Sequence, residues 1–328
     1  MAPAASTEPV VIAVLDSGIR STHAAFAPGQ VVAWHDFTNP TPRAAGPWDG
    51  LVPTPYDDVG HGTAVASLAA GATVDGMTRS HAPGARLVIG KVLRADGTFA
   101  WADLARAIRW SVDVAHADVV SVSLYGYAPE IGPAAGQDER AVLDALAYAR
   151  DLGALPVVLA GNGAQNAGIP TMSWLHAPSM SVDALVVGGA HSDGTPVAPR
   201  SSLEPEVTAN YTAVAACADS DRCLRVTSGT SFATPLVAGA AARLVGVARA
   251  LGADASPDAI ESLLKASARD TAAPPPVEGY GFLGWPEIDA AEASQRAGGS
   301  PRDAGANGLY VEDVQDTVRR LWSQTLLA

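Results

Sequence analysis

Apolar residues in this chain fall into short unbroken runs that are separated by longer stretches of mixed polarity. The runs are rich in Val, Ile and Leu, do not alternate with polar residues, and mostly end at Gly or Asp; they cover residues 10–18, 85–93, 117–126, 155–163 and 184–190. Strands that are buried on both faces have this pattern. The pattern therefore predicts a mainly parallel sheet at the centre of the fold.

Between and after these runs, apolar residues recur with helical spacing. The helical stretches cover residues 62–71, 101–117, 138–153, 235–252 and 256–268. In the last of them, Ser256 is suited to cap the helix and Pro257 to begin it. Because strands and helices alternate, we predict an α/β fold with three layers, α/β/α.

Composition narrows the class of protein. The chain has 328 residues, of which 48% are hydrophobic, so it can bury a large core. Its formal net charge of −13 disfavours nucleic acid and anionic membranes as partners, because both bind basic surfaces. No unbroken apolar run reaches the length of a membrane span, so we expect no membrane insertion.

The first residues and the cysteines bear on the compartment. The N-terminal ten residues lack the basic and then apolar layout of a signal peptide. We therefore expect a cytoplasmic protein; a mature secreted domain is the alternative. Cys217 and Cys223 either form a local disulfide or remain free thiols, and the pair offers too few ligands for a metal site.

Four polar residues lie where buried strands end or helices begin. Asp16 closes the first apolar run, Asn162 closes another, His61 lies between two glycines at a helix start, and Ser231 opens an apolar helix. Each alone is commonly a turn former or a helix cap. Together they form a complete set for acyl transfer: a nucleophile, a base, a group that orients the base, and an oxyanion donor.

The start of the last apolar helix, "TSGTSFATPLVAG" (227–239), has more hydroxyls than a single cap needs. A helix start also presents unpaired backbone N–H groups and the positive end of the helix dipole, which would stabilise negative charge that develops beside Ser231. We expect Pro235 to lie in the first turn, where its missing N–H costs nothing.

These motifs resemble those of the subtilisin-like serine proteases, or subtilases. "VIAVLDSGI" (11–19) is similar to the family's aspartate motif, "GHGTAVAS" (60–67) to its histidine motif, and "SGTSFATPLVAG" (228–239) to its serine motif, in the same chain order. The resemblance covers about residues 9–295. It implies a subtilisin-like fold, a catalytic domain over 1–298, and a C-terminal tail over 299–328 made of a linker and a short helix.

The resemblance also implies roles for particular residues. Asp16 would hold the imidazole of His61, which takes the proton of Ser231 as that serine attacks a peptide carbonyl. Asn162 and the backbone N–H of Ser231 would bind the oxyanion. A protein or peptide substrate would bind in extended form by pairing with Ser123, Leu124, Tyr125 and Gly126.

Further positions are implied as substrate subsites. Ala160 and Gly161 would wall the primary pocket, and Phe99 and Trp101 would line an outer subsite. Trp174 lies in the loop that follows Asn162, with Met172 and Leu175 nearby. We interpret these apolar residues as favouring apolar substrate side chains; the alternative for Trp174 is packing within its own loop.

The chain departs from the family pattern at several positions. Ala64 stands where relatives commonly have a second histidine. Segment 71–85 lies where many relatives bind calcium, but Asp75 is its only acidic residue. Since calcium takes six to eight oxygen ligands, we expect no cofactor to be required, with calcium as the alternative. No segment like a prodomain is expected before the first strand.

Three functions compete. The first is a hydrolytic serine endopeptidase. The second is a dedicated enzyme that trims a precursor peptide, or joins its ends as a transpeptidase; the lack of a long insertion over the site favours trimming. The third is a non-catalytic binding relative, which the presence of Asp16, His61 and Ser231 disfavours. The sequence leaves the oligomeric state open.

Overall fold

The structure is a computed structural model that describes residues 8–38, 54–127, 137–162, 176–177, 179, 181–197 and 200–298. Its strands are β1 Val11–Asp16, β2 Val31–Asp36, β3 Arg86–Lys91, β4 Val119–Val122, β5 Gly126–Tyr127, β6 Leu155–Leu159, β7 His176–Ala177, β8 Leu185–Ala190, β9 Val207–Asn210, β10 Thr212–Ala216 and β11 Leu224–Ser228. Its helices are α1 His61–Ala70, α2 Trp101–Asp113, α3 Gln137–Asp151, α4 Thr230–Leu251, α5 Pro257–Ser267, α6 Pro275–Glu278 and α7 Trp285–Arg296.

Seven strands form a parallel sheet in the order β2-β3-β1-β4-β6-β8-β9. After β1 the chain places β2 at one edge of the sheet and β3 between β2 and β1, and then adds β4 and the later strands on the other side of β1. The direction of winding therefore reverses beside β1. In open parallel sheets, ligands bind at the carboxyl ends of strands near such a reversal, which is where Asp16 and the residues after β4 lie.

Helices cover both faces of this sheet. Ile12 and Val14 of β1 face a core that includes residues of α1, α4, α5 and α7, whereas Ala13 and Leu15 face a second core with residues of α2 and α3. The alternation along one strand between two buried cores explains why its sequence is apolar throughout. The predicted three-layer α/β/α fold with a parallel sheet is confirmed.

Helix α4 runs through the first of these cores. Among the described helices it is the one that is long and apolar enough to cross a membrane by length and composition, although the sequence shows no unbroken apolar run of that length. Within the protein, 83% of its most apolar window is buried. A central core helix has the same composition because it is surrounded by apolar side chains.

The five predicted strands correspond to β1, β3, β4, β6 and β8, and the five predicted helices to α1 through α5. The cap of α5 is as predicted, since the Ser256 hydroxyl accepts the N–H of Ala259. The prediction that Pro235 lies in the first turn of its helix was wrong, because α4 begins at Thr230 and Pro235 lies inside it. Thr230 and Ser231 thus lie in the first turn of α4, whereas Thr227 and Ser228 end β11 and Gly229 is the N-cap residue.

Two short antiparallel sheets lie outside the main one. They pair β10 with β11 and β5 with β7. Strand β11 leads directly into α4, so the hairpin of β10 and β11 lies beside the start of the helix that carries Ser231.

Candidate active site

Asp16 ends β1 and is fully buried. Its backbone carbonyl accepts the N–H groups of Val92 and Leu93, which follow β3, and its carboxylate accepts the N–H of Ser17. A buried carboxylate requires such partners because removing its charge from water is costly. The segment after β3 therefore holds the Asp16 backbone, and the N–H of Ser17 holds the carboxylate.

His61 is the first residue of α1, and it reaches Asp16 because the start of α1 lies directly against the turn after β1. A side chain at Gly62 would place its Cβ 2.3 Å from the carbonyl oxygen of Gly18, so only glycine permits this approach. The Nδ1 atom of His61 lies 2.8 and 3.0 Å from the two carboxylate oxygens of Asp16. Since a carboxylate only accepts, Nδ1 carries the proton and Nε2 is left as the basic nitrogen of the neutral ring.

The surroundings of His61 set its pKa. Burial by itself lowers the pKa, but the negative charge of Asp16, its hydrogen bond and the charge of Asp57 outweigh burial, so the His61 pKa is raised above its ordinary value. The imidazolium form is therefore stabilised at the position where a proton would be taken from a nucleophile.

Asp57 ties α1 to the turn after β1. Its carboxylate accepts the N–H of Gly60, the N–H and hydroxyl of Thr63, and the hydroxyl of Ser17, whose oxygen in turn accepts the N–H of Gly62. Burial alone would raise the Asp57 pKa, but these hydrogen bonds lower it. Sequence reasoning missed Asp57; an acidic residue just before a helix start is the available signal.

Ser231 is the second residue of α4 and is mostly buried. Its backbone N–H has no hydrogen-bond partner in the described part of the chain. The next residue, Phe232, places its ring 5.3 Å from the imidazole of His61, centroid to centroid. The helices that carry His61 and Ser231 therefore meet at their N-terminal ends.

The side chain of Ser231 points to the backbone after β4. Its hydroxyl donates to the carbonyl oxygen of Ser123 at 3.3 Å, and the Ser123 hydroxyl donates to the carbonyl oxygen of Ser231 at 2.8 Å. Among the described residues, Ser231 Oγ makes no hydrogen bond to His61. Catalytic hydrogen bonds are often long in ligand-free proteins and tighten only when substrate binds.

Asn162 lies after β6 and faces the start of α4. Its side-chain oxygen accepts both the backbone N–H and the hydroxyl of Thr230, at 3.0 and 3.1 Å. This caps the helix from a distant segment and fixes the amide orientation. The Asn162 NH₂ group takes no part in this cap and is left as a donor at the start of α4, the helix whose second residue is Ser231.

The residues predicted to bind substrate are placed in part. Residues 123–125 lie between β4 and β5, outside both sheets, and Gly126 pairs with Ala177 of β7. A Cβ at Gly126 would lie 2.5 Å from the Trp101 ring, and Phe99 packs edge-on against that ring at 4.8 Å. The structure therefore brings Phe99, Trp101 and Gly126 together.

The other subsite residues remain predictions. Ala160 and Gly161 are buried, and their backbones bond to Val187 and Ser202. Trp174, with Met172 and Leu175, lies outside the described residues.

The structure shows the state of the two cysteines and the partners of two acidic residues that could bind a metal ion. Cys217 and Cys223 form a disulfide. They also form, with Asp219, the one cluster of three metal-ligand residues in the described ranges, but the disulfide engages both sulfurs and Asp219 pairs with Arg225. Asp75, the acidic residue of segment 71–85, pairs with Arg222. The need for calcium stays a prediction.

A buried aspartate that orients a histidine, close to a serine at a helix start and beside two donors, is the arrangement that serine hydrolases use for acyl transfer. The family model described as the subtilase family matches residues 7–282. The chain belongs to the subtilase family, whose members bind peptide substrates.

Known relatives agree with this assignment. Serine protease AprX of Bacillus subtilis (strain 168) is 28% identical, with 78% of this chain and 60% of that protein covered. Subtilase-type proteinase psp3 of Schizosaccharomyces pombe is 29% identical over 73% of this chain and 47% of that protein. The chain thus spans about half to three fifths of the length of these curated relatives.

Solved structures show the same fold. The S218A mutant of the protease domain of PatA is similar with a TM-score of 0.69 and 26% identity, covering 90% of this chain and 99% of that one. The prenylagaramide maturation protease PagA is similar with a TM-score of 0.67 and 23% identity, covering 87% and 94%.

Proposed function

We propose that this chain is a serine endopeptidase that hydrolyses peptide bonds through an acyl-enzyme. The observation that carries the proposal is the contact of His61 Nδ1 with the buried Asp16 carboxylate, at the point where α1 meets the start of α4. This contact leaves Nε2 of His61 free of Asp16, as the nitrogen that would take the proton of Ser231.

The reaction follows from these groups. Ser231 Oγ attacks the peptide carbonyl carbon while His61 Nε2 takes its proton, and the carbonyl electron pair moves onto oxygen. The Asn162 NH₂ group and the Ser231 N–H donate to that oxyanion, and each such donor contributes about 3–4 kcal/mol to transition-state stabilisation. The oxyanion then collapses and the C–N bond breaks as the imidazolium gives its proton to the leaving amine. Water, which gives a proton to His61, attacks the acyl-enzyme, and the second collapse breaks the ester bond, releases the acid and returns the proton to Ser231 Oγ.

Substrate binding is part of the same proposal. A peptide in extended form would lie along residues 123–125, between β4 and β5, with one apolar side chain in the primary pocket beside Ala160 and Gly161 and another against Phe99 and Trp101. A peptide library would test the preference: equal cleavage after Leu, Phe and Lys would contradict an apolar primary pocket.

The second candidate is a dedicated protease or transpeptidase that acts on one precursor peptide. PagA is described as a maturation protease, and its fold is similar to that of this chain, although at 23% identity the likeness concerns the fold. General and dedicated enzymes use the same acyl-enzyme, so substrate range has to separate them.

Labelling with a fluorophosphonate probe tests the proposal. Wild type should be labelled and Ser231→Ala should not; Ser228→Ala, which removes an exposed hydroxyl three residues earlier, is the matched control and should be labelled like wild type. Casein cleavage by the labelled protein would favour a general endopeptidase, and labelling without casein cleavage a dedicated one. No labelling of folded wild type would contradict the proposal and favour a non-catalytic binding relative.

A further inference from the structure

Pro235 lies inside α4, four residues after Ser231, and interrupts the backbone hydrogen bonding of the helix at that serine. In an α-helix the carbonyl of residue 231 would accept the N–H of residue 235, but proline has no N–H to donate. Pro235 is itself buried, so solvent does not readily replace the missing donor. The carbonyl of the residue that carries the nucleophile therefore needs a partner from outside the helix.

Ser123 supplies that partner. Its hydroxyl donates to the Ser231 carbonyl oxygen at 2.8 Å, and the bond is buried. Ser123 is itself buried, with only 3% of the residue exposed. The contact joins the end of β4 to the first turn of α4, two segments that are 108 residues apart in the chain.

The same residue also contacts the hydroxyl of Ser231. Ser231 Oγ donates to the Ser123 carbonyl oxygen at 3.3 Å. Ser123 thus contacts the nucleophilic serine both at its backbone and at its side chain. These two bonds restrict the position of Oγ relative to the His61 ring and to the Ser231 N–H.

We propose that Ser123 is a positioning residue for the nucleophile, and that its hydroxyl replaces the amide donor that Pro235 lacks. This inference rests on the proposed function. Pro235 releases the Ser231 carbonyl from the helix, and Ser123 then fixes that carbonyl to the central sheet. The position of Ser231 is therefore set by the sheet that also carries Asp16, and not by α4 alone.

The Ser123→Ala variant tests the role. It leaves the Ser231 carbonyl buried without its donor, and we expect kcat and the rate of fluorophosphonate labelling to fall together by about tenfold to a hundredfold. KM should change by less than about threefold, because extended peptides pair with backbone groups and the Ser123 backbone is kept. A purely structural role would lower the melting temperature and leave the labelling rate of folded protein unchanged.

Ser121→Ala is the matched control. Ser121, on β4, lies two residues before Ser123 and is fully buried, and its hydroxyl has no hydrogen-bond partner among the residues that the structure describes. Its removal takes away the same group two residues before Ser123 without breaking a hydrogen bond, so activity and labelling should stay within about twofold of wild type.

A double-mutant cycle with Pro235→Ala tests the physical cause. Alanine at 235 restores an N–H that can donate to the Ser231 carbonyl, so Ser123→Ala should cost several-fold less in the Pro235→Ala background than in wild type. If Ser123→Ala alone does not fold, the double variant should fold. Equal losses in both backgrounds, or failure of both variants to fold, would overturn the inference.

Thermal unfolding separates this inference from the proposed function. The cycle should show the same coupling in melting temperature, since the hydrogen bond exists without substrate. Coupling in stability with no labelling of wild type would mean that the proposed function is wrong while the hydrogen bond is real. Labelled wild type without coupling in either readout would mean that Ser123 does not position Ser231.

Discussion

At the scale of single residues, two carboxylates act on one imidazole by different routes. Asp16 bonds directly to Nδ1 of His61. Asp57 instead bonds to the backbone N–H groups of Gly60 and Thr63, before and after His61, and acts on the imidazole through its charge. The neutral ring is the base that the reaction needs, so raising the His61 pKa limits activity at acidic pH.

The Asp57 charge can be tested by pH dependence. The acidic limb of kcat/KM should lie above the ordinary histidine pKa of 6.5, because the His61 pKa is raised. Asp57→Asn removes a negative charge that stabilises the imidazolium, so the limb should shift to lower pH. Asp193→Asn is the control: it removes an exposed negative charge that lies near His191 and not near His61, so the limb should not move. An unchanged limb, or one that moves to higher pH, would exclude a role for the Asp57 charge.

The two ends of the Asn162 amide can be separated by substitution. Asn162→Asp keeps an oxygen that accepts the Thr230 N–H but removes the NH₂ donor, so stability should be nearly retained while kcat falls by about 10²–10³-fold. Asn162→Ala removes both the accepting oxygen and the NH₂ donor. It should therefore also lower the free energy of unfolding by about 1 kcal/mol through loss of the cap.

Steady-state kinetics and urea unfolding would measure both effects. If Asn162→Asp retained full kcat, the oxyanion would have to be bound without this amide.

At the scale of elements, the distance between α1 and α4 places His61 relative to Ser231. The helices touch through small residues: a Cβ at Gly239 of α4 would lie 2.4 Å from the carbonyl oxygen of Ala69 in α1. Backbone atoms cannot turn aside as a flexible side chain can. The absence of a side chain at Gly239 therefore sets how closely the two helices approach.

Gly239→Ala should force the helices apart. We expect a loss of about 1–3 kcal/mol in the free energy of unfolding, together with a lower kcat/KM. Gly246→Ala in the same helix is the control, since its Cβ would meet only a side-chain atom of Val10, at 3.3 Å, and alanine favours a helix over glycine by up to about 1 kcal/mol. Equal effects of the two variants would show that helix approach does not matter here.

The strands that could be predicted are those whose burial is continuous. Runs such as 184–190 are apolar on both faces because helices cover both faces of the sheet, and β8 was predicted for that reason. Strand β2, "VVAWHD", lies at the sheet edge and carries polar residues, and β11 is largely exposed, so neither has the pattern of a buried strand. Pattern reasoning depends on burial and fails where burial is partial.

At the scale of the whole molecule, the site depends on contacts between distant segments. The sequence indicated Asp16, His61, Asn162 and Ser231, because each occupies a strand end or a helix start. It could not indicate that Ser123 bonds to Ser231, because that contact arises from the crossover that places β4 beside β1. Because the start of α4 was predicted too late in the chain, the sequence also did not indicate that Pro235 leaves the Ser231 carbonyl without its helical donor.

The disulfide between Cys217 and Cys223 closes a loop that lies beside the candidate active site. The loop between Cys217 and Cys223 lies near the start of α1, since a Cβ at Gly60 would be 3.7 Å from that of Ala218. Arg20 bonds to both Ala218 and Asp221 of this loop. The loop therefore connects the turn after β1 to the hairpin that leads into α4.

Replacing both cysteines tests what this link contributes to the whole fold. Closing so short a loop stabilises a protein by about 2 kcal/mol through the unfolded chain, so Cys217→Ser with Cys223→Ser should lower the free energy of unfolding by about that amount. Wild type in excess dithiothreitol should unfold like the double variant, and the variant itself should not respond to dithiothreitol. If reduction left wild-type unfolding unchanged, the two thiols would not be joined in solution, as expected for a cytosolic protein, whereas a matching loss would favour an oxidising compartment.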